Sequence, residues 1–424
     1  MRIAQLHQHF LKFPKVCTDT RKISKDCVFF ALKGDNFDGN EYASEAIEKG
    51  AAYAVVDESK YAISKRFFLV EDVLDTLQKL ATFHRNHSKA KVIGLTGSNG
   101  KTTTKELINV ILSSKYSTIA TPGNLNNHIG VPLSLLSIEE HTEIAIIEMG
   151  ANHQKEIEFL SNLARPDFGY ITNFGKAHLE GFGGVEGIIK GKSELYDHLT
   201  SKGKYVFMNA DDPIQMDKLG SYIKKIGFSK KKHDYYRISF LGAEPFVKIG
   251  VEELVIQSQL IGSYNFTNCA AAILMGKYFN VPLEDIKTAI ENYTPKNNRS
   301  QLLAKNGHQI ILDAYNANPT SMKAALENFR QMKANHKIAF LGDMFELGET
   351  AALEHQNIAD LANAMNFEEV FLIGENFYAT ETSQDKFRSF DELAIYLKEN
   401  RLQESTLLIK GSRGMALERI LELL

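Results

Sequence analysis

The run Lys91-Val-Ile-Gly-Leu-Thr-Gly-Ser-Asn-Gly-Lys-Thr-Thr-Thr104 joins a short apolar strand to a helix start through a glycine-rich loop, and it commits the chain around it to a layered α/β arrangement. Gly97 and Gly100 let the backbone turn and bring its N–H groups close to an oxyanion. A helix predicted to begin near Lys101 adds the positive end of its dipole. Lys101 can reach the outer phosphates of a nucleotide, and the Thr102 hydroxyl can ligate Mg2+. The candidate cradle is therefore Gly97, Ser98, Asn99, Gly100, Lys101, Thr102 and Thr103. Its spacing is short: five residues before Gly100 stands Leu95, so the first glycine of the general phosphate-binding loop is missing.

A chain of 424 residues exceeds what one hydrophobic core organises, so two or three domains are expected. A net charge of -3 over that length supplies no polybasic face, which disfavours nucleic acid or an anionic membrane as the main partner. Cys17, Cys27 and Cys269 are scattered and form no C-x-x-C pair, which argues against a disulfide framework or a zinc site and fits a reducing compartment. The N-terminus lacks the apolar run of a signal peptide, and no stretch approaches the length of a membrane span. A cytoplasmic enzyme is expected.

Up to about residue 85, short strand-like runs such as Cys27-Val-Phe-Phe-Ala-Leu and Ala52-Tyr-Ala-Val-Val are broken by turn-rich segments. The polar stretch His84–Lys91 reads as a linker. Apolar strands at 143–148, 169–173 and 204–209 then alternate with helical stretches, implying a mainly parallel sheet covered by helices, and 228–262 reads as an antiparallel extension of it. From about 299 the alternation restarts in four strand-helix units, at 308–313, 337–342, 369–374 and 405–410. The first of these helices has Asn318 as its expected N-cap and Pro319 at its first position. The fold class is α/β in three domains: a small N-terminal domain (1–88), a central P-loop domain (89–298) and a C-terminal Rossmann-like domain (299–424).

Glu148 ends an apolar strand, where open α/β sheets place their ligand crevice and where a hard cation wants oxygen. His178, in Thr172-Asn-Phe-Gly-Lys-Ala-His178, also follows a strand; taken alone, it reads as a structural histidine more readily than as a ligand. Lys192 by itself reads as a surface lysine.

Thr96-Gly-Ser-Asn-Gly-Lys-Thr-Thr103 resembles the P-loop of the Mur ligase superfamily, the ATP-dependent amide ligases of peptidoglycan precursor synthesis, which have folylpolyglutamate synthases as relatives. Glu148-Met-Gly, Thr172–His178 and Lys192-Ser-Glu follow in that family's order. Within it, Asp313-Ala-Tyr-Asn-Ala-Asn-Pro319-Thr-Ser-Met, Leu341-Gly-Asp-Met-Phe-Glu-Leu-Gly348 and Lys410-Gly-Ser-Arg413 resemble the branch that joins D-alanyl-D-alanine to UDP-N-acetylmuramoyl-tripeptide. Thr18-Asp-Thr-Arg21 and Phe30–Asp35 look like its UDP-binding N-terminal domain.

The resemblance implies ATP as substrate, Mg2+ on Thr102 and Glu148, a second Mg2+ on His178, and a carbamylated Lys192 orienting it. Arg299 matches an arginine that reaches the ATP phosphates, with Asn298 where the family has glycine; asparagine is the next most tolerant residue of a left-handed backbone. Asp313 matches a position near the ribose. Asn268 matches an adenine contact and reads equally as a buried helix-start cap. Lys101, His178, Lys192 and Arg299 are thus the catalytic candidates. For substrate, Thr20 and Arg21 would hold the UDP end, Asn126 and Asn127 would line the muramoyl-peptide channel, and Asn316, Asp343, Lys410, Ser412 and Arg413 would grip the dipeptide or the arm of the tripeptide. A monomer is expected.

Three other readings compete, of which a catalytically dead nucleotide-binding module is disfavoured by the intact set Lys101, Glu148, His178 and Lys192. Another amide ligase of the superfamily would share the P-loop, but the 313–322 segment disfavours it. A motor or switch GTPase is disfavoured by the short loop and by the lack of an Asn-Lys-x-Asp motif.

Overall fold

A computed structural model describes residues 2–296 and 298–424. The central sheet has nine strands, in the order 254–261, 246–251, 236–243, 225–229, 205–209, 168–171, 91–96, 144–148, 118–120. Its core strands are parallel, and 236–243, 246–251 and 254–261 form the antiparallel extension. Both faces are covered, as the continuous apolar strands require: Val92, Ala145 and Ile147 point to one core, while Ile93, Leu95, Ile144 and Ile146 point to another. The strand Lys91–Thr96 sits where strand order reverses, with Ile144–Glu148 on one side and Phe168–Ile171 on the other. Register sets Glu148 beside Leu95 and Ile171 beside Thr96, so Glu148, the P-loop and Thr172 emerge together at the C-terminal edge.

The C-terminal sheet has six strands, in the order 301–305, 308–313, 406–410, 337–342, 369–373, 385–387. The four expected strands form its parallel centre. Gln301–Lys305 adds an antiparallel edge and Asp385–Phe387 a short parallel one, and the sequence pattern signalled neither. The first is half-exposed, with only three apolar residues between polar ends, and the second spans three residues, so neither shows the long apolar run of a core strand. Asp313 and Lys410 are direct cross-strand partners, which brings two distant motifs to one point.

The N-terminal sheet pairs 16–17, 28–30, 53–56 and 67–69 in parallel. The polar stretch expected to be a linker is instead the end of the helix Val73–His87, in which His84 and Arg85 are buried. The Arg85 guanidinium donates to the carbonyls of Ala164 (3.1 Å) and Arg165 (3.1 Å) and to Asp167 (2.8 Å), tying the end of the helix Glu156–Ala164. Its polarity reflects capping of a neighbouring helix C-terminus, where orphan carbonyls attract a cation, and not solvation of a flexible strand.

Candidate active site

A cavity of about 610 Å3 lies between the central and C-terminal sheets, lined by the P-loop, by Glu148 and by the Asp313–Ser321 segment. The P-loop is held from both sides. Gly97 adopts φ +141°, and a side chain there would come within 2.0 Å of the Thr172 hydroxyl. Gly100 adopts φ +78°, and a Cβ there would meet Asn268 at 2.5 Å. Both glycines are therefore required by conformation and by close packing.

Lys101 begins the helix Lys101–Leu112, as expected, and its Nζ donates to the carbonyls of Gly97 (2.7 Å) and Ser98 (3.1 Å). Burial, with Arg299 adding to it, lowers the Lys101 ammonium to about 8 against the opposing pull of Glu148. The Thr102 hydroxyl donates to Glu148 Oε1 (3.3 Å), which also accepts from Asn126 Nδ2 (2.8 Å). Among the described residues Glu148 Oε2 is buried without a hydrogen-bond partner, with Lys105 Nζ at 3.6 Å. A carboxylate oxygen left in that state beside a threonine hydroxyl fits a hard divalent cation.

The second expected cation finds no such donor set. His178 lines the cavity, but its Nδ1 bonds to Glu346, whose carboxyl it holds below the usual range. Lys192, read from sequence as a surface residue, is completely buried. Its amine donates to the Ala151 carbonyl (3.0 Å), lies 4.7 Å from the Phe182 ring centre, and does not line the cavity. Burial and the Lys101 charge push its amine well below the ordinary lysine value. Among the described residues, no group of three or more His, Cys, Asp or Glu side chains could hold a metal.

Ser98, Asn99, Thr103, Asn126, Asn127, Asn268, Arg299, Asp313, Asn316 and Lys410 also line the cavity. Asn298 takes φ +54°, the left-handed turn its tolerance allows, and next to it the Arg299 guanidinium stacks 3.6 Å from the Tyr315 ring centre, with a buried Nε that has no hydrogen-bond partner among the described residues. Asp313 accepts from Lys410 Nζ (2.6 Å) and from the Ser300 N–H (3.1 Å). Asn268 is not a helix-start cap. It lies within the helix Asn265–Tyr278, donating to Asn265 (2.8 Å) and accepting from the Thr104 hydroxyl (3.1 Å).

Five substrate candidates stand outside this cavity. Asp343 is consumed locally: its carboxylate accepts from the Asn376 N–H and side-chain amide and from the Phe377 N–H, all at 2.9 Å, capping a short helix. Ser412 is buried and accepts from the Phe345 N–H (3.1 Å). Arg413 is exposed, with its guanidinium 5.0 Å from the Tyr315 ring centre. Thr20 and Arg21 lie in the N-terminal domain, where Arg21 forks onto Asp19 through two 2.9 Å bonds. Sequence reasoning missed Tyr264, Glu156, Tyr315 and Thr320 as lining residues. Tyr315 and Thr320 belong to the Asp313–Met322 motif and Tyr264 to the stretch 262–271 around Asn268, whereas Glu156 carried no signal.

Family models match in order along the chain: a Mur ligase family catalytic domain over 13–85, a Mur ligase middle domain over 95–276 and a Mur ligase glutamate ligase domain over 298–413. The UDP-N-acetylmuramoyl-tripeptide–D-alanyl-D-alanine ligase of Bacillus subtilis (strain 168) is 35% identical over 425 residues, covering 96% of this chain and 92% of that protein. The enzyme of the same name from Escherichia coli (strain K12) is 32% identical, with 96% and 93% covered. The MurF ligase of Thermotoga maritima in complex with ADP superposes with a TM-score of 0.84 at 28% identity, covering 97% of each chain. The middle-domain and glutamate-ligase matches meet around one cavity, and likeness extends over nearly the whole length: the chain belongs to the Mur ligase family.

Proposed function

We propose that this protein joins D-alanyl-D-alanine to UDP-N-acetylmuramoyl-tripeptide at the cost of ATP, through an acyl phosphate, in cytoplasmic peptidoglycan precursor synthesis, and that it works as a monomer. The observation that carries this reading is the single cavity lined by both the P-loop and the Asp313–Ser321 segment, in a chain 35% identical to a ligase of that name. No helix is long and apolar enough to cross a membrane among the described residues.

In this reading the P-loop amides and Lys101 hold the β- and γ-phosphates, and Asp313 and Asn268 hold the nucleoside. The tripeptide carboxylate attacks the γ-phosphorus, the bond to ADP breaks, and an acyl phosphate results. Two anions meet in that step, so Lys101 and Arg299 offset charge as it moves from carboxylate to ADP. A Mg2+ ion held by Thr102 and Glu148 would supply further charge neutralisation at the phosphates. The amine of the dipeptide then attacks the acyl carbon and phosphate leaves. Asn126 and Asn127 would face the muramoyl peptide, Asn316 and Lys410 the incoming amine's side, and Thr20 and Arg21 the UDP end.

Lys192 is proposed to be carbamylated. An amine whose proton affinity burial has lowered can add CO2 and release one proton, and the resulting carbamate would place an anionic oxygen donor beside Ala151, which itself lines the cavity. The test is release of ADP and phosphate with UDP-N-acetylmuramoyl-tripeptide, with and without D-alanyl-D-alanine, run on the parent and on Lys192→Ala. Dipeptide-dependent turnover is expected, with the variant nearly inactive and partly restored by short carboxylates. Turnover that ignores the dipeptide, or that uses a folate and glutamate, overturns the assignment; a fully active Lys192→Ala removes the carbamate.

A further inference from the structure

Where the two larger sheets meet, one contact joins the phosphate loop itself to the C-terminal domain. The Asn318 side-chain amide donates to Asn99 Oδ1 (2.7 Å), and Asn99 Nδ2 points back at Asn318 Oδ1 (3.5 Å). Asn318 is buried and is the N-cap of the helix Pro319–Gln331, its Oδ1 accepting from the Ser321 N–H (2.9 Å). Asn99 is equally tied on its own side. Its N–H donates to Asn173 Oδ1 (3.1 Å), and its carbonyl accepts from the Thr172 hydroxyl (2.6 Å) and from Asn173 Nδ2 (3.0 Å). Gly175 sits in the angle: a Cβ there would come within 2.8 Å of Asn99 Nδ2 and 3.1 Å of Thr320 Cγ2. The next residue, Lys176, donates its N–H to the Thr320 hydroxyl (2.9 Å).

A capping role alone does not need asparagine at 318, since serine or aspartate caps as well. What asparagine adds is a side-chain N–H, long enough to reach across the interface. Among the described residues, Asn99 is the one P-loop residue bonded by its side chain to the other domain.

We propose that the Asn99–Asn318 carboxamide pair is the contact through which the nucleotide-filled P-loop positions the C-terminal domain over the reacting acyl group. The inference rests on the ligase reading above. Asn318 is then a positioning residue that governs which nucleophile the acyl phosphate meets. When the amine attacks the acyl carbon, a C–N bond forms, the C–O bond to phosphate breaks, phosphate leaves and the amine loses one proton. When water attacks the same carbon, the carboxylate and phosphate return, and ATP has been hydrolysed without product. Holding the domain in register favours the first route by excluding water and aligning the amine.

The test uses the full chain with saturating ATP, Mg2+ and UDP-N-acetylmuramoyl-tripeptide, titrating D-alanyl-D-alanine and counting phosphate released against amide formed. Asn318→Ser keeps a capping hydroxyl but is too short to reach Asn99, so its melting temperature should stay close to the parent's. Its phosphate-to-amide ratio should rise several-fold, with a raised KM for the dipeptide. Asn99→Ser breaks the pair from the other side and keeps the question open if the first variant does not fold. In the double variant the two effects on the ratio should fail to add. A parent-like ratio in either folded single variant, or simple additivity, overturns the pair. Failure of the parent to form any amide with this dipeptide would instead overturn the ligase reading on which the inference rests.

Discussion

Lys101 shows how a single side chain is tuned by what surrounds it. Burial of its amine, with Arg299 close enough to add repulsion, lowers its ammonium to about 8 even though the carbonyls of its own loop and Glu148 favour the charge. An arriving triphosphate restores the ordinary preference for the charged form. Binding of ATP at pH 8 to 9 should therefore take up protons from the buffer, up to about one per site, because the free protein is partly deprotonated there and the complex is not. Calorimetry in buffers of different ionisation enthalpy reads this directly. Lys101→Met should abolish the uptake and weaken nucleotide binding. Uptake unchanged in that variant would show that another group titrates. The loop around Lys101 could be read from Gly97, Gly100 and the Lys-Thr pair, because phosphate chemistry demands those residue types at that spacing. Lys192 could not be read in this way. Its burial arises from how the helix Val185–Ser201 packs under Phe182, and nothing in its neighbours' identities distinguishes it from an exposed lysine.

At the scale of elements, the helix Val73–His87 does the joining that the sequence pattern assigned to a linker. It carries His84, whose Nε2 bonds to the Ile138 carbonyl (2.7 Å), which fixes the proton there and leaves Nδ1 to accept from His7 Nε2 (3.0 Å). The helix Ile3–Lys12 of the N-terminal domain is thus pinned to the central one by two neutral imidazoles. Burial, reinforced by His84 and His87, lowers His7 to about 4, and burial lowers His84 too. The unfolded chain takes up these protons as pH falls through the ordinary histidine range, whereas the folded chain resists until near pH 4. Stability is complete above about pH 6.5 and should decline between there and pH 4, by about 1 to 3 kcal/mol from His7. Urea titrations at pH 7.5 and 5.0 measure it. His7→Gln should be less stable than the parent at pH 7.5 but lose less on acidification; an equal acid loss in both would place the effect elsewhere. The helix was missed because its last turn is polar, and two of its polar residues, His84 and Arg85, turn inward toward carbonyls supplied by sequence-distant elements.

For the whole molecule, the central question is how the C-terminal sheet is held over the central one. Besides the carboxamide pair, Lys176 Nζ meets Glu354 at 2.6 Å, with Glu354 nearly buried, and His178 bonds Glu346. A buried carboxylate stripped of its partner is costly, so Lys176→Glu should open the two domains. Small-angle scattering of the nucleotide-bound protein should report an increased radius of gyration. Exchanging the charges with Lys176→Glu/Glu354→Lys should restore compaction, and a double variant as open as the single one would show that the pair does not hold the interface.

The sequence by itself determined the α/β layering, the parallel strands with both faces apolar, the phosphate loop and the metal-suited carboxylate at a strand end. These follow from local period, glycine placement and residue chemistry, all written within short windows. Tertiary structure alone decided the buried state of Lys192, the withdrawal of Asp343 and Ser412 into capping and loop bonds, the inward turn of Arg85, and the meeting of Asn99 with Asn318. Each depends on register and packing between segments far apart in the chain, and a side chain's partner there is set by geometry that no local pattern encodes.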